Sequence, residues 1–268
     1  MATNGFEVLN NATAKKGAMS ADTTIDTAMV LSAGLGTRMR PITDTIPKPL
    51  VEVHGETLLD RALDALVAGG IGRSFVNVHY LADQIEAHIE TRTQPQIIIS
   101  DEREELLDSG GGVKKAIAGE ADGPILILNG DSFWVDADQS NVERLKEAWN
   151  PGKMDLLLLL ATADQATGFD GAGDFFINEQ GQLTRRGAAP SAPCIYAGAI
   201  VTTIDYIGKV ADEKFSLNRL FDAAIQQNRL YGLALDGLWL HVGTPASIEE
   251  AEQAIDRYAA NNRPQPNR

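Results

Sequence analysis

A doubly wound α/β fold is predicted by three features of the sequence. From Thr27 onward, short apolar runs alternate with segments of helical period. Runs such as "PILILNGD" and "DLLLLLATA" are continuously apolar, as strands covered on both faces are. Such alternation implies βαβ units, which assemble into a single mostly parallel, Rossmann-like sheet with helices on both faces.

Residues 1–26, rich in Asn, Ala, Thr and Lys, read as a disordered N-terminal tail. "AMVLSA" (28–33) is the first buried strand. "TLLDRALDALVAGG" (57–70) sets Leu58, Leu59, Ala62, Leu63 and Leu66 on one helical face and stops at glycines. Further strands are predicted at "SFVNVHY" (74–80), "QIIIS" (96–100), "PILILNGD" (124–131) and "DLLLLLATA" (155–163). Helices are predicted between them, at "LADQIEAHIE" (81–90), "GGVKKAIAGE" (111–120) and "NVERLKEAW" (141–149). After residue 165 the rhythm changes. "GDFFINEQGQLTRR" (173–186) reads as a β-hairpin turning at Glu-Gln-Gly, and "IYAGAIVTT" (195–203) as a strand. "FSLNRLFDAAIQQNRL" (215–230) is a helix with Ser216 as its N-cap, followed by a strand pair within "LYGLALDGLWLHVGT" (230–244). "SIEEAEQAIDRYAANN" (247–262) closes the fold as an amphipathic helix. With no internal repeat or linker, the chain reads as one domain over 27–262, a hairpin-bearing subregion included, and a flexible C-terminus at 263–268.

Composition narrows the function. At 268 residues and 44% hydrophobic, the chain can bury a large core. Its longest apolar run, Leu156–Ala161, is far short of the roughly 20 residues that span a bilayer. Asp and Glu outnumber Lys and Arg by 37 to 23, a net charge of −14, which argues against nucleic acid and anionic membranes as partners. A phosphate-bearing ligand would then need a local basic pocket or a cation. The single cysteine, Cys194, suits a reducing compartment, so a cytoplasmic location is expected, and it reads as a small buried residue rather than a nucleophile.

The segment "AMVLSAGLGTRMRPITDTIPKPL" (28–50) carries the chemistry. A strand running into a glycine loop and then a helix presents backbone N–H groups to an anion. Gly34 and Gly36 admit close backbone approach, and Arg38 and Arg40 add forked donors suited to phosphate oxygens. Position 39 is Met, so the loop is no dinucleotide fingerprint, and no Lys-Ser/Thr pair makes it a P-loop. Pro47 and Pro49 restrict the chain on both sides of Lys48, leaving its ammonium less freedom to lose.

The full run, G-x-G-T-R-M-R-P-x-T followed by P-K-P-L, resembles the sugar-1-phosphate nucleotidyltransferase family through Gly34, Gly36, Thr37, Arg38, Pro41, Lys48 and Pro49. The likeness extends over nearly the whole chain. "LDSGGGVKKAI" (107–117) is similar to a family loop bordering the nucleobase, and "ILNGDSFW" to a strand end presenting a metal carboxylate, here Asp131. "GDFFI" and "YAGAI" look like sugar-facing elements, and "GLWLHVGTP" like a terminal Trp-x-Asp-x-Gly-Thr motif. The resemblance implies a GT-A-like architecture and catalytic roles for Arg38, Lys48 and Asp131. It implies nucleotide contacts from Ser32, Ala33, Gly34, Gly36, Thr37, Arg38, Asn77, Gly110 and Gly111, and sugar contacts from Asn129, Asp174 and Gly198. Mg²⁺ is the implied cofactor, held by Asp131 and His241.

Compact length, the triple glycine, "NGD" before an aromatic and the "GDF" element are most similar to members that join UTP to N-acetylmuramate 1-phosphate in peptidoglycan recycling. Transfer to mannose 1-phosphate from GTP, or to glucose 1-phosphate from UTP or dTTP, stays open, as does a sensing subunit without catalysis. A monomer or homodimer is expected. One departure matters: position 241 is His where the pattern has Asp. Imidazole suits Mn²⁺, Co²⁺ or Zn²⁺ better than Mg²⁺. His241 is therefore a ligand to such a metal, a cationic phosphate contact, or a bystander to a metal held by Asp131, phosphates and water. The expectation adopted is a place in the metal and phosphate site.

Overall fold

The computed structural model describes residues 24–262, and these form three layers around one central sheet. The chain opens with β1 (Thr27–Leu31) and a short pair, β2 (Glu52–Val53) and β3 (Glu56–Thr57), before α1 (Leu58–Ala68). The next units are β4 (Arg73–Val78), α2 (Ala82–Ile89), β5 (Gln96–Asp101), α3 (Asp108–Ala116) and β6 (Pro124–Asn129). Then come β7 (Ser132–Asp136), α4 (Asn141–Ala148), β8 (Leu156–Ala161), β9 (Ala166–Thr167), β10 (Phe175–Ile177), β11 (Leu183–Arg185) and β12 (Ile195–Thr203). The chain finishes with α5 (Ile204–Gly208), α6 (Asn218–Gln226), β13 (Leu230–Ala234), β14 (Gly237–His241) and α7 (Ala246–Asn261).

Seven strands form the main sheet in the order β13-β8-β12-β6-β1-β4-β5. All neighbours run parallel except β12, which is antiparallel to both β6 and β8. Strand β1 is central, and the pleat sends its side chains to opposite faces. Ala28 and Val30 join a core with Leu59, Leu63 and Leu66 of α1. Met29 joins another with Val113 of α3 and Phe221 of α6. A third cluster lies off the sheet, where Met39, Phe133, Leu240, Val242 and two alanines of α7 pack together.

The predicted helices and strands of the first half stand, and Thr57 caps α1 by accepting from the Asp60 N–H at 3.0 Å. Several details differ. Ile25, assigned to the tail, is buried in the core, while residues 1–23 and 263–268 of the predicted flexible ends lie outside the described residues. Helix α3 spans Asp108–Ala116, starting three residues before the predicted 111, so Gly110 lies inside its first turns along with Gly111 and Gly112. Helix α6 is capped at Leu217 with no side-chain bond, and Ser216 instead accepts from the Asn218 N–H. The predicted strand pair at 230–244 does not pair with itself. Strand β13 adds to the main sheet beside β8, and β14 pairs with β7 and β9 in a small separate sheet. Strand β7 was not foreseen, because its partner β14 lies about a hundred residues away in sequence. The hairpin is as expected, β10 against β11. Among the described residues no helix is long and apolar enough to cross a membrane.

Candidate active site

Strand order reverses at β1: the chain builds outward through β4 and β5, then returns to place β6 on the other side. In open α/β sheets a crevice forms outside the carboxyl ends of the strands at such a point. A cleft of about 410 Å³ lies there. Three segments leave the strand ends into it: Ser32–Met39 after β1, Asn77 at the end of β4, and Asn129–Asp131 after β6.

The glycine loop is held from below. Met39 is fully buried in the third cluster, so Thr37 and Arg38 are left facing out over the cleft. Gly36 has φ +62°, a left-handed conformation, and a Cβ there would stand 3.0 Å from both the Lys48 and Thr43 side chains. The Thr43 hydroxyl fastens the loop by donating to the Gly36 carbonyl at 2.8 Å. Around Gly34 there is open space. Among the described residues Arg38 has no ion pair, whereas Arg40 pairs with Asp44 at 3.2 Å on the exposed side and does not line the cleft. Arg38 alone therefore supplies a forked donor to the cleft from this loop.

Pro47 is extended and Lys48–Leu50 makes one tight turn, with the Leu50 N–H donating to Pro47 and the Val51 N–H to Lys48. This points the largely buried Lys48 ammonium at Asp131, 3.2 Å from Oδ2. Asp131 follows Gly130, where a Cβ would meet the Leu31 carbonyl at 2.3 Å; only glycine lets β6 approach β1 this closely before turning. His241, at the end of β14, places Nε2 3.8 Å from the same Asp131 oxygen. Its Nδ1 is 3.1 Å from the Gly168 carbonyl, which can only accept, so Nδ1 carries a proton and Nε2 is the atom facing Asp131. The ring is packed between Trp239 and Gly243. Partial burial works to raise the Asp131 carboxyl, but the imidazole of His241 and the ammonium of Lys48 outweigh it and hold the group well below the usual carboxylate range.

The carboxylate and imidazole suit a divalent cation. Among the described residues no group of three or more His, Cys, Asp or Glu gathers to form a closed cage. Asp131 with the oriented His241 would supply one oxygen and one nitrogen, leaving the other positions for substrate oxygens and water.

Ten residues expected at the site line the cleft: Ser32, Ala33, Gly34, Gly36, Thr37, Arg38, Lys48, Asn77, Asn129 and Asp131. His241 touches it through Asp131. Gly110 and Gly111 do not line it: both N–H groups donate to the Phe215 carbonyl, and a Cβ would strike Phe215 at 2.3 Å or Glu213 at 2.1 Å. They serve the contact of α3 with the 213–215 segment, and Leu106, Asp108 and Ser109 form the wall in their place. Asp174 and Gly198 lie beyond the cleft lining. Asp174 accepts from the Tyr196 N–H at 2.9 Å, and Gly198 (φ +87°) abuts Asn129 and Ser132. Sequence reasoning missed Tyr196, whose hydroxyl is 3.5 Å from Asn129 Oδ1 and whose ionisation burial and the charge of Asp131 push well up. Cys194 is fully buried and burial pushes its thiol up to about 11, so it is no nucleophile at neutral pH.

A sequence model of the nucleotidyl transferase family matches residues 27–170. The chain is 42% identical over 232 residues to the N-acetylmuramate alpha-1-phosphate uridylyltransferase of Caulobacter vibrioides, covering 85% of this chain and 96% of that protein. The protein of the same description from Neisseria meningitidis is 30% identical over 237 residues, covering 84% and 96%. The mannose-1-phosphate guanylyltransferase catalytic subunit beta of Drosophila melanogaster is 27% identical over 226 residues, 81% of this chain but 59% of that one. Among solved structures, HddC of Yersinia pseudotuberculosis, complexed with GMP-PN, superposes with a TM-score of 0.68 at 20% identity, over 86% of this chain and all of that one. A UDP-glucose pyrophosphorylase complexed with UDP-glucose gives 0.68 at 15%, over 87% and 99%. At those identities the structures speak to the fold, which they share.

Proposed function

The chain belongs to the nucleotidyl transferase family, and on that premise we propose that it joins UTP to N-acetylmuramate 1-phosphate, forming the UDP-sugar and releasing pyrophosphate. The observation that carries the reading is the Lys48 ammonium set 3.2 Å from Asp131 beneath a glycine loop whose Arg38 lines the cleft. The 42% identity to a uridylyltransferase along nearly its whole length favours this substrate pair.

In the reaction a phosphate oxygen of the sugar phosphate forms a bond to the α-phosphorus of the triphosphate, and the bond from that phosphorus to the bridging oxygen of the β-phosphate breaks. The nucleophile is already an anion, so no general base is needed, and the protein contributes position and charge neutralisation. The loop amides at Ala33, Gly34 and Gly36, with Thr37 and Arg38, hold the departing β- and γ-phosphates. Lys48 stands between the α-phosphate and the incoming phosphate, where repulsion is greatest. Asn129 faces the sugar, with Tyr196 and Gly198 set against it from behind and Asp174 holding the Tyr196 N–H. Asp131 and His241 would hold Mg²⁺, or Mn²⁺ given the imidazole, which when bound neutralises and orients the triphosphate. A cytoplasmic enzyme of cell-wall recycling fits this reading.

Pyrophosphate release across a grid of four nucleoside triphosphates and several sugar 1-phosphates, with Mg²⁺ and again with Mn²⁺, tests it. Turnover confined to UTP with N-acetylmuramate 1-phosphate is the expected result. Turnover only with another pair would refute the substrate assignment, and silence from folded, nucleotide-binding protein would refute catalysis.

A further inference from the structure

Glu102 is fully buried just past the end of β5, yet among the described residues its carboxylate faces two neutral N–H donors rather than a cation. Its Oε1 accepts from the side-chain amide of Asn77 at 2.6 Å, and its Oε2 accepts from the Leu107 N–H at 3.1 Å. Asn77, itself buried, accepts through Oδ1 from the Ser32 N–H at 2.7 Å. Burying a carboxylate without a counter-ion is costly, and only hydrogen bonds offset the cost. The fold makes room for it: a Cβ at Gly112 would lie 2.6 Å from Oε1 and 2.9 Å from the Asn77 amide nitrogen. Each of the three contacts pairs an N–H with an oxygen acceptor.

We propose that Glu102 is a positioning residue for the nucleotide site, setting both walls of the cleft through one carboxylate. Through Asn77 it fixes the peptide of Ser32, where β1 turns into the glycine loop. Through Leu107 it fixes the start of α3 and hence Leu106, Asp108 and Ser109, which line the facing wall. The carboxylate also decides which way Asn77 points. An acceptor-only group claims the amide nitrogen, so only Oδ1 is left for Ser32, and the loop's peptide plane follows. Glu102 thereby acts on nucleotide affinity without touching the nucleotide. The inference rests on the reading that the cleft holds a nucleoside triphosphate.

The network makes a specific test. Glu102→Gln keeps the shape but replaces one acceptor by a donor, which must face either the Asn77 amide or the Leu107 N–H. Adding Asn77→Asp exchanges the carboxylate and the amide between the two positions, and every donor again meets an acceptor. Calorimetric titration with UTP should show Glu102→Gln weakened by about ten- to a hundredfold, the effect of one mismatched buried pair. The double exchange should bind UTP at least about tenfold more tightly than Glu102→Gln alone, since its hydrogen bonds are again complete, although the new carboxylate of Asn77→Asp on the cleft wall keeps it weaker than the wild type. In steady-state assays the KM for UTP should rise in the single variant while that for the sugar 1-phosphate stays put. Undiminished UTP binding by Glu102→Gln overturns the proposal. So does a double exchange that is no better than the single variant, or that fails to fold. If the single variant does not fold, a double exchange that folds and binds UTP still supports it. Wild-type protein that binds no nucleoside triphosphate would fail the cleft's assignment itself, which the wild-type titration reads separately.

Discussion

Lys48 is where the site's electrostatics concentrate. Its ammonium touches Asp131, and in the proposed reaction it stands between two phosphates that repel each other. Lys48→Ala should therefore cost on the order of 3 kcal/mol in the barrier, comparable to losing one preorganised donor. That is roughly a hundredfold in kcat by pyrophosphate release, with the fold intact by circular dichroism. Retained turnover would remove Lys48 from the mechanism. Cys194 carries the opposite expectation. Its thiol, raised to about 11 and buried, should stay unlabelled by a thiol reagent at neutral pH in the native protein and react only on unfolding. Much of this scale was legible in the sequence, because a phosphate loop needs particular residue types at adjacent positions. Tyr196 was not, since its place beside Asn129 depends on how β12 lies against β6.

At the scale of elements, the glycines of α3 show what a local reading leaves out. The sequence pattern predicts the helix from 111 despite the low propensity of glycine, but not that Gly110 and Gly111 pack against the 213–215 segment closer than any side chain permits. Gly111→Ala should destabilise the protein by a few kcal/mol, because its Cβ would lie 2.1 Å from the backbone oxygen of Glu213, which cannot swing aside. Chemical denaturation would register it as a lower midpoint with an unchanged slope. The α1–α2 contact makes a prediction about pH. Asp60 on α1 takes hydrogen bonds from His88 of α2 and from Arg92. Burial tends to raise its carboxyl, but the Thr57 and His88 hydrogen bonds and the charges of His88 and Arg92 prevail, holding it below its ordinary 3.8. A group depressed in the folded state stabilises the fold above its unfolded value, and that contribution is lost as pH falls through the folded one. The wild type should therefore lose stability relative to Asp60→Asn as pH drops below about 4. A gap between their denaturation midpoints that does not narrow in acid would contradict the assignment.

The whole molecule reconciles a net charge of −14 with an anionic substrate by confining its ligand-facing cations to the crevice at the strand-order reversal. The alternation of strands and helices was legible because periodicity is local. The order of the strands was not, which is why β13 and β14 read as a pair and instead serve two sheets. That division has a consequence for the site. Strand β14 carries His241 to Asp131, while Leu240 and Val242 beside it share a core with Met39 under the glycine loop and with α7. The cleft's parts thus come from both ends of the chain, and a ligand bridging them should stabilise the fold as a unit. At a hundred times its Kd, UTP with Mg²⁺ contributes about 2.7 kcal/mol by mass action. For a domain of this size that is a rise of roughly 5–10 °C in Tm. Arg38→Ala should leave the unliganded Tm in place, since among the described residues its guanidinium makes no ion pair, and should shrink the rise by weakening the phosphate contact. An unliganded Tm that falls with this substitution would mean that Arg38 supports the fold, and a full UTP-induced rise would mean that the triphosphate does not lie along the glycine loop.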